Sequence, residues 1–138
     1  ISIAESCTGG MITSKLISIS GASKVIDCGL VTYSNLSKQI YLKVPQLELE
    51  KYGAVSEQVS ELMINGLKKV NNSNIFMSTT GIAGPNGGSE AKPVGLVYVG
   101  YCDEKISLVH KFNFSSSREA NKIRTSQAVL KLILSNNY

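Results

Sequence analysis

The chain has 138 residues, 43% of them hydrophobic and 17% charged, and carries a net charge of +4. That suits one domain with its own core and excludes a disordered chain. No apolar run approaches the roughly 18 residues of a membrane span, and the first residues lack a basic leader pattern. Lysines and arginines are scattered, with only Lys68 and Lys69 adjacent. A basic stripe with interleaved aromatics, the footprint of nucleic-acid binding, is missing. Neither nucleic acid nor a membrane is therefore expected as a partner, whereas a phosphorylated small molecule fits the modest positive balance.

In chain order, Ile1 to Ala4 reads as the end of a strand. Gly9 and Gly10 open a helix through Ile19, with Ile12, Leu16 and Ile19 on one face, and Gly21 stops it. Val25 to Tyr33 is rich in β-branched and apolar residues and predicts a buried strand. Short helices follow over Asn35 to Leu42 and Pro45 to Lys51. Ser56 caps the clearest amphipathic helix, with Val59, Leu62, Met63, Leu67 and Val70 inward. Ile75 to Thr80 is a strand that runs into the glycine-rich loop Gly81 to Gly88. Val94 to Cys102 and Ile106 to Phe114 form a hairpin. Ser116 and Glu119 make a capping box for a last helix to about Leu134, with Ile123, Val129, Leu130 and Ile133 inward. Alternating elements predict an α/β fold, and the hairpin makes its sheet mixed.

Cys7, Cys28 and Cys102 form no CxxC pair, and the single histidine, His110, leaves no metal-ligand spacing, so no metal is expected. An odd cysteine count without a leader fits a reducing, cytoplasmic compartment. Cys28 and Cys102 sit in strand-like runs and are expected in the core.

Four segments carry candidate chemistry. In Ala4-Glu5-Ser6-Cys7-Thr8-Gly9-Gly10 a strand ends in hydroxyls and a thiol just before a helix opens. Such a place offers N–H groups to an anion and makes Ser6 a candidate nucleophile; equally, Ser6 or Thr8 serves as a helix cap. In Thr32-Tyr33-Ser34-Asn35 with Lys38, the ammonium would lower the phenol pKa and make Tyr33 a base; otherwise the pair is a half-buried tyrosine and a solvated lysine. The glycine-rich loop from Thr80, Gly81, Ala83 and Gly84 onward lets backbone approach a ligand, but matches neither a P-loop nor GxGxxG. Arg118 and Arg124, near the start of the last helix, suit phosphate contact or simple solvation. His110 reads as an ordinary strand residue.

Together, Ala4-Glu-Ser-Cys-Thr-Gly-Gly10, Val31-Thr-Tyr-Ser-Asn35 with Lys38, Gly53-Ala-Val-Ser-Glu57, Thr80-Gly-Ile-Ala-Gly-Pro85, Gly87-Gly-Ser89 and Lys92-Pro-Val-Gly95 resemble the CinA C-terminal domain family over almost the whole chain. That family takes its name from a competence and damage-inducible protein, and its stand-alone members are bacterial nicotinamide-nucleotide amidases. The resemblance implies a single three-layer α/β/α sandwich with a mixed sheet over residues 1–138, the chain beginning after a helix that family members place before the first strand. It implies hydrolysis of the carboxamide of nicotinamide mononucleotide to nicotinate mononucleotide and ammonia, with neither metal nor cofactor. Ser6 matches the nucleophile, Tyr33 and Lys38 its activating partners, and Glu5 lies beside it. Lys38 would hold Tyr33 ionised or hydrogen-bonded, and either residue would take the serine proton. N–H groups near Cys7, Thr8, Gly9 and Gly10, or in the Gly81 to Gly84 loop, would hold the oxyanion. Asn35, Thr8, the Thr80-Gly81 loop, Arg118 and Arg124 are candidates for the remaining substrate contacts.

Two other readings stand beside the amidase: a non-catalytic nucleotide-binding or protein-interaction module, and a cysteine hydrolase using Cys7, which lacks a histidine partner. A small α/β domain of this kind also admits a homodimer.

Overall fold

A computed structural model describes residues 1–136; the last two residues of the expected domain lie outside the described ones. The strands are β1 (Ser2–Glu5), β2 (Cys28–Val31), β3 (Phe76–Gly81), β4 (Leu96–Cys102) and β5 (Ser107–Asn113). The helices are α1 (Met11–Ile17), α2 (Asn35–Leu42), α3 (Gln46–Tyr52), α4 (Glu57–Val70) and α5 (Arg118–Ser135), and Ala22–Lys24 adds a short 3-10 turn.

The five strands form one sheet in the order β2-β1-β3-β4-β5. β1 pairs in parallel with β2 and β3, whereas β3–β4 and β4–β5 are antiparallel. β1 is flanked on both edges and covered on both faces, which is why Ile3 and Ala4 are fully buried. Successive strand residues face opposite ways. Thus Ala4 and Phe76 join a core with Val59, Met63, Ile64 and Leu67 of α4 and Leu42 and Leu49 of α2 and α3. Ile3 and Met77 face the other way, into a core with Ile12 of α1 and Val129 of α5. The result is the mixed sheet that the sequence pattern predicts, in the three-layer α/β/α sandwich that the family resemblance implies.

Ser56 caps α4 by accepting from Val59 N. On the buried side of α4, Gly66 meets α2 so closely that a Cβ there would collide with the Leu42 carbonyl. No helix among the described residues is long and apolar enough to cross a membrane.

Several expectations need correction. The strand expected over Val25 to Tyr33 is only Cys28–Val31, because the chain is still in a 3-10 turn at Lys24. It is the sheet edge, half exposed rather than buried, and Cys28 is therefore half-buried rather than a core residue. Cys102 is buried as expected. α1 ends at Ile17, which leaves Ile19 on the surface, and Val70 and Ile123 are also exposed rather than inward. The cap of α5 is Ser117, which accepts from Ala120 N; Glu119 pairs instead with Lys122 at 3.3 Å, so the Ser116–Glu119 box does not form. His110 is an exposed residue of β5, as its pattern implies.

Candidate active site

All three parallel strands end at one edge of the sheet. Ser6 follows β1, Thr32 and Tyr33 follow β2, and Ile82 to Gly84 follow β3. The carboxyl ends of strands in open α/β sheets are where such folds place ligands. Here they surround a cleft of about 290 Å³ lined by Ser6, Cys7, Tyr33, Lys38, Ala54, Val55, Thr80 to Gly84, Asn86, Gly87 and Arg118.

At its floor, Lys38 Nζ donates to Ser6 Oγ at 3.0 Å, to the Thr32 carbonyl at 2.7 Å and to the Tyr33 carbonyl at 3.3 Å. Ser34 starts α2 as its N-cap by accepting from Ser37 N, and that start aims Lys38 inward, one turn into the helix. Lys38 is 1% exposed and Ser6 7%. Burial pulls the Lys38 ammonium down from an ordinary value of 10.5 to about 8, because an amine removed from water disfavours its charged form. Burial also pushes the neighbouring Cys7 thiol up to about 12, so that thiol stays protonated and is a poor nucleophile.

The expected link from Lys38 to the Tyr33 phenol is absent, because Lys38 meets the Tyr33 backbone carbonyl instead. The phenol, on a side chain 59% exposed, accepts from Arg118 Nη2 at 3.1 Å. Arg118 Nη1 donates to the Gly84 carbonyl at 2.7 Å, so one guanidinium ties both rims of the cleft together.

Glu5 is drawn away from the cleft. Its carboxylate accepts from Gly10 N (3.0 Å), Ile12 N (3.2 Å), Thr13 N (2.8 Å) and Thr13 Oγ1 (2.7 Å). It thereby caps α1, whose N-cap residue Gly10 offers no side chain. Neither Ser6 nor Thr8 is the cap. The turn requires left-handed backbone at Gly9 and Gly10, with φ of 62 and 92 degrees. Thr8 is buried on Thr79 Oγ1 at 3.0 Å. Hence Glu5, Thr8, Gly9 and Gly10 support the site without lining it; Asn35 also lies outside the lining. Arg124 stands elsewhere, on a groove with Phe112 and Phe114.

The residue reading passes over Ala54 and Val55 as wall residues, although they stand inside the Gly53 to Glu57 motif. Thr80 Oγ1 donates to Ala54 O at 2.7 Å and Lys92 Nζ donates to Tyr52 O, fastening that wall to β3 and to the Lys92 motif.

A buried serine held by a buried lysine where parallel strands of an α/β/α sandwich end defines the class. The sequence profile of the CinA C-terminal domain matches residues 1–136, and the chain belongs to that family. A Clostridium perfringens protein, provisionally named competence-damage inducible, is 51% identical over 130 residues, covering 94% of this chain. A CinA-like protein of Syntrophus aciditrophicus is 43% identical over 134 residues, covering 96%. The chain spans 32% of the length of each. Among solved structures, competence/damage inducible protein CihA from Agrobacterium tumefaciens superposes with a TM-score of 0.95 at 38% identity, covering 99% of this chain and 84% of that one. A CinA superfamily protein from Escherichia coli superposes with a TM-score of 0.92 at 30% identity, covering 96% and 77%.

Proposed function

We propose that this domain is a nicotinamide-nucleotide amidase: it hydrolyses the carboxamide of nicotinamide mononucleotide to nicotinate mononucleotide and ammonia, with Ser6 as nucleophile and Lys38 as base. The reading rests on the 3.0 Å contact between Lys38 Nζ and Ser6 Oγ, both buried, and on the family's resemblance. A neutral Lys38 keeps two N–H bonds to the Thr32 and Tyr33 carbonyls, which turns its lone pair toward the Ser6 hydroxyl.

Ser6 Oγ then attacks the carboxamide carbon while its proton passes to Lys38. The tetrahedral oxyanion is held by backbone N–H groups of the cleft. As the C–N bond breaks, the Lys38 ammonium protonates the leaving nitrogen, which departs as ammonia. Water, deprotonated by Lys38, attacks the acyl-serine, and Lys38 returns that proton to Ser6 Oγ as the ester bond breaks and the carboxylate leaves. The pyridinium charge of the substrate activates its carboxamide, and Arg118 at the rim is the cation placed to take its phosphate. This chemistry uses no cofactor. The cytoplasm, where thiols such as Cys7 stay reduced, is its natural compartment.

Purified protein and Ser6→Ala, each incubated with nicotinamide mononucleotide while ammonia is measured, test the reading. Release by the first and none by the second supports it. Binding of the nucleotide without release by the unsubstituted protein would favour a nucleotide-binding module instead.

A further inference from the structure

Two consecutive carbonyls in the glycine-rich wall of the cleft are gripped from α5. Asn121 Nδ2 donates to Ala83 O at 3.0 Å, and Arg118 Nη1 donates to Gly84 O at 2.7 Å. The two side chains are three residues apart, which puts them on one face of the helix. Asn121 is 1% exposed and also donates to Ser116 O at 2.9 Å. Both amide hydrogens are thus spent on carbonyls, and Oδ1 is left buried with no partner among the described residues. An orphaned buried acceptor disfavours the folded state. The fold tolerates it while keeping the NH₂ group on Ala83.

We propose that Asn121 is a positioning residue: by holding the Ala83 carbonyl, it aims the Gly84 N–H at the oxygen that becomes negative when Ser6 attacks. This rests on the serine–lysine reading above and names the donor which that reading leaves open. In a trans peptide, C=O and the following N–H point in opposite directions. Drawing Ala83 O toward α5 therefore turns the Gly84 N–H away from α5 and toward the cleft that Gly84 lines. That N–H donates to no acceptor among the described residues. The following peptide has no N–H to offer, because residue 85 is proline. Arg118 holds the next carbonyl from the same helix, so the donor is fixed before any ligand arrives, which is what oxyanion stabilisation requires.

The test uses the full chain labelled with ¹⁵N and phenylboronic acid as probe. Boron accepts the Ser6 oxygen, Lys38 takes the serine proton, and the tetrahedral boronate carries the negative charge. In the unsubstituted protein the Gly84 amide proton is expected to move downfield as the adduct forms. Asn121→Asp, which cannot donate to Ala83 as a carboxylate, is expected to lose most of that shift and to bind the boronate on the order of 100-fold more weakly. For ammonia release its kcat falls about 100- to 1,000-fold while KM stays within about threefold. An unmoved Gly84 amide in the unsubstituted adduct, or an Asn121→Asp kcat within about threefold of the unsubstituted protein, overturns the proposal. The first of these readouts needs no variant to fold. Failure to form any Ser6 adduct overturns the serine reading and this inference together. A shifted Gly84 amide without ammonia release from nicotinamide mononucleotide supports the inference and rejects only that substrate.

Discussion

The Tyr33 hydroxyl and the Arg118 guanidinium meet at 3.1 Å, although 85 positions separate them in the chain. That contact makes the phenol part of the cleft's rim and leaves the serine to Lys38. Tyr33→Phe is accordingly expected to cost less than about tenfold in kcat, whereas removing a general base costs about 100- to 10,000-fold. Steady-state ammonia release decides it. A loss of 100-fold or more at unchanged KM would return the proton transfer to the phenol.

Lys38 must be neutral to act as a base. With its pKa lowered by burial to about 8, kcat/KM should rise with pH through about 8 and level off above it. Lys38→Arg keeps the positive charge but cannot surrender a proton, so its activity should fall about 100- to 10,000-fold at every pH. A rate profile flat between pH 6 and 9 would contradict this role.

The same burial has a price in stability. Between pH 8 and 10.5 the unfolded chain holds a proton on Lys38 that the folded chain has lost, so stability rises with pH across that window. Below it the penalty is fully present, at most about 3 kcal/mol. Lys38→Met removes the penalty but strands the Thr32 and Tyr33 carbonyls, at about 1–3 kcal/mol each, so the two effects oppose each other near pH 7. The stability of the variant relative to the parent is expected to fall between pH 8 and pH 10.5 in urea melts, because only the parent gains there. A difference between variant and parent that stays constant across that window would refute it.

Glu5 anchors α1 and stands outside the cleft lining. Its four accepted bonds predict that Glu5→Ala loses about 2–4 kcal/mol, with Glu5→Gln losing less. Thermal melts give the loss, and specific activity per folded molecule should change far less than in Ser6→Ala. An unfolding midpoint equal to the parent's would remove Glu5 from this role.

Arg118 and Arg124 separate cleanly. Arg118→Ala should raise KM for the nucleotide about 10- to 100-fold, the value of a charge-assisted phosphate contact. Arg124→Ala, on the groove with Phe112 and Phe114, should leave both kinetic constants near those of the parent. Equal effects of the two substitutions would remove Arg118 from phosphate binding.

Much of the layered fold can be read from periodicity. Val59, Met63 and Leu67 recur on one face of α4, and that face is the one buried against the sheet. α2 runs over Asn35–Leu42, the bounds the sequence predicts for it. The edge position of β2 is not local information: Val25 to Tyr33 has the composition of a buried strand, and only the pairing order exposes it. Within the site, sequence brings Ser6, Tyr33, Lys38, Arg118 and the Gly81 to Gly84 loop to attention, and they do line one cleft. Side-chain direction is what escaped. Lys38 is close in sequence to Tyr33, yet its amine reaches Ser6, 32 positions away. Glu5 and Ser6 are neighbours on a chain that alternates sides, so one turns to α1 and the other to the cleft. Asn121 gives no signal in sequence, because nothing local marks its amide as the grip on Ala83.

Gly66 stands in α4, outside the cleft, where the helix touches the Leu42 carbonyl. Leu42 lies one helical turn beyond Lys38 on α2. The missing side chain therefore works as a spacer gauge. It sets how deeply α2 seats, and with it the gap between amine and hydroxyl. A single methyl at position 66 would lift the whole helix and detune the pair without touching either atom, so the tolerance of the chemistry is written into a residue that has no chemistry of its own.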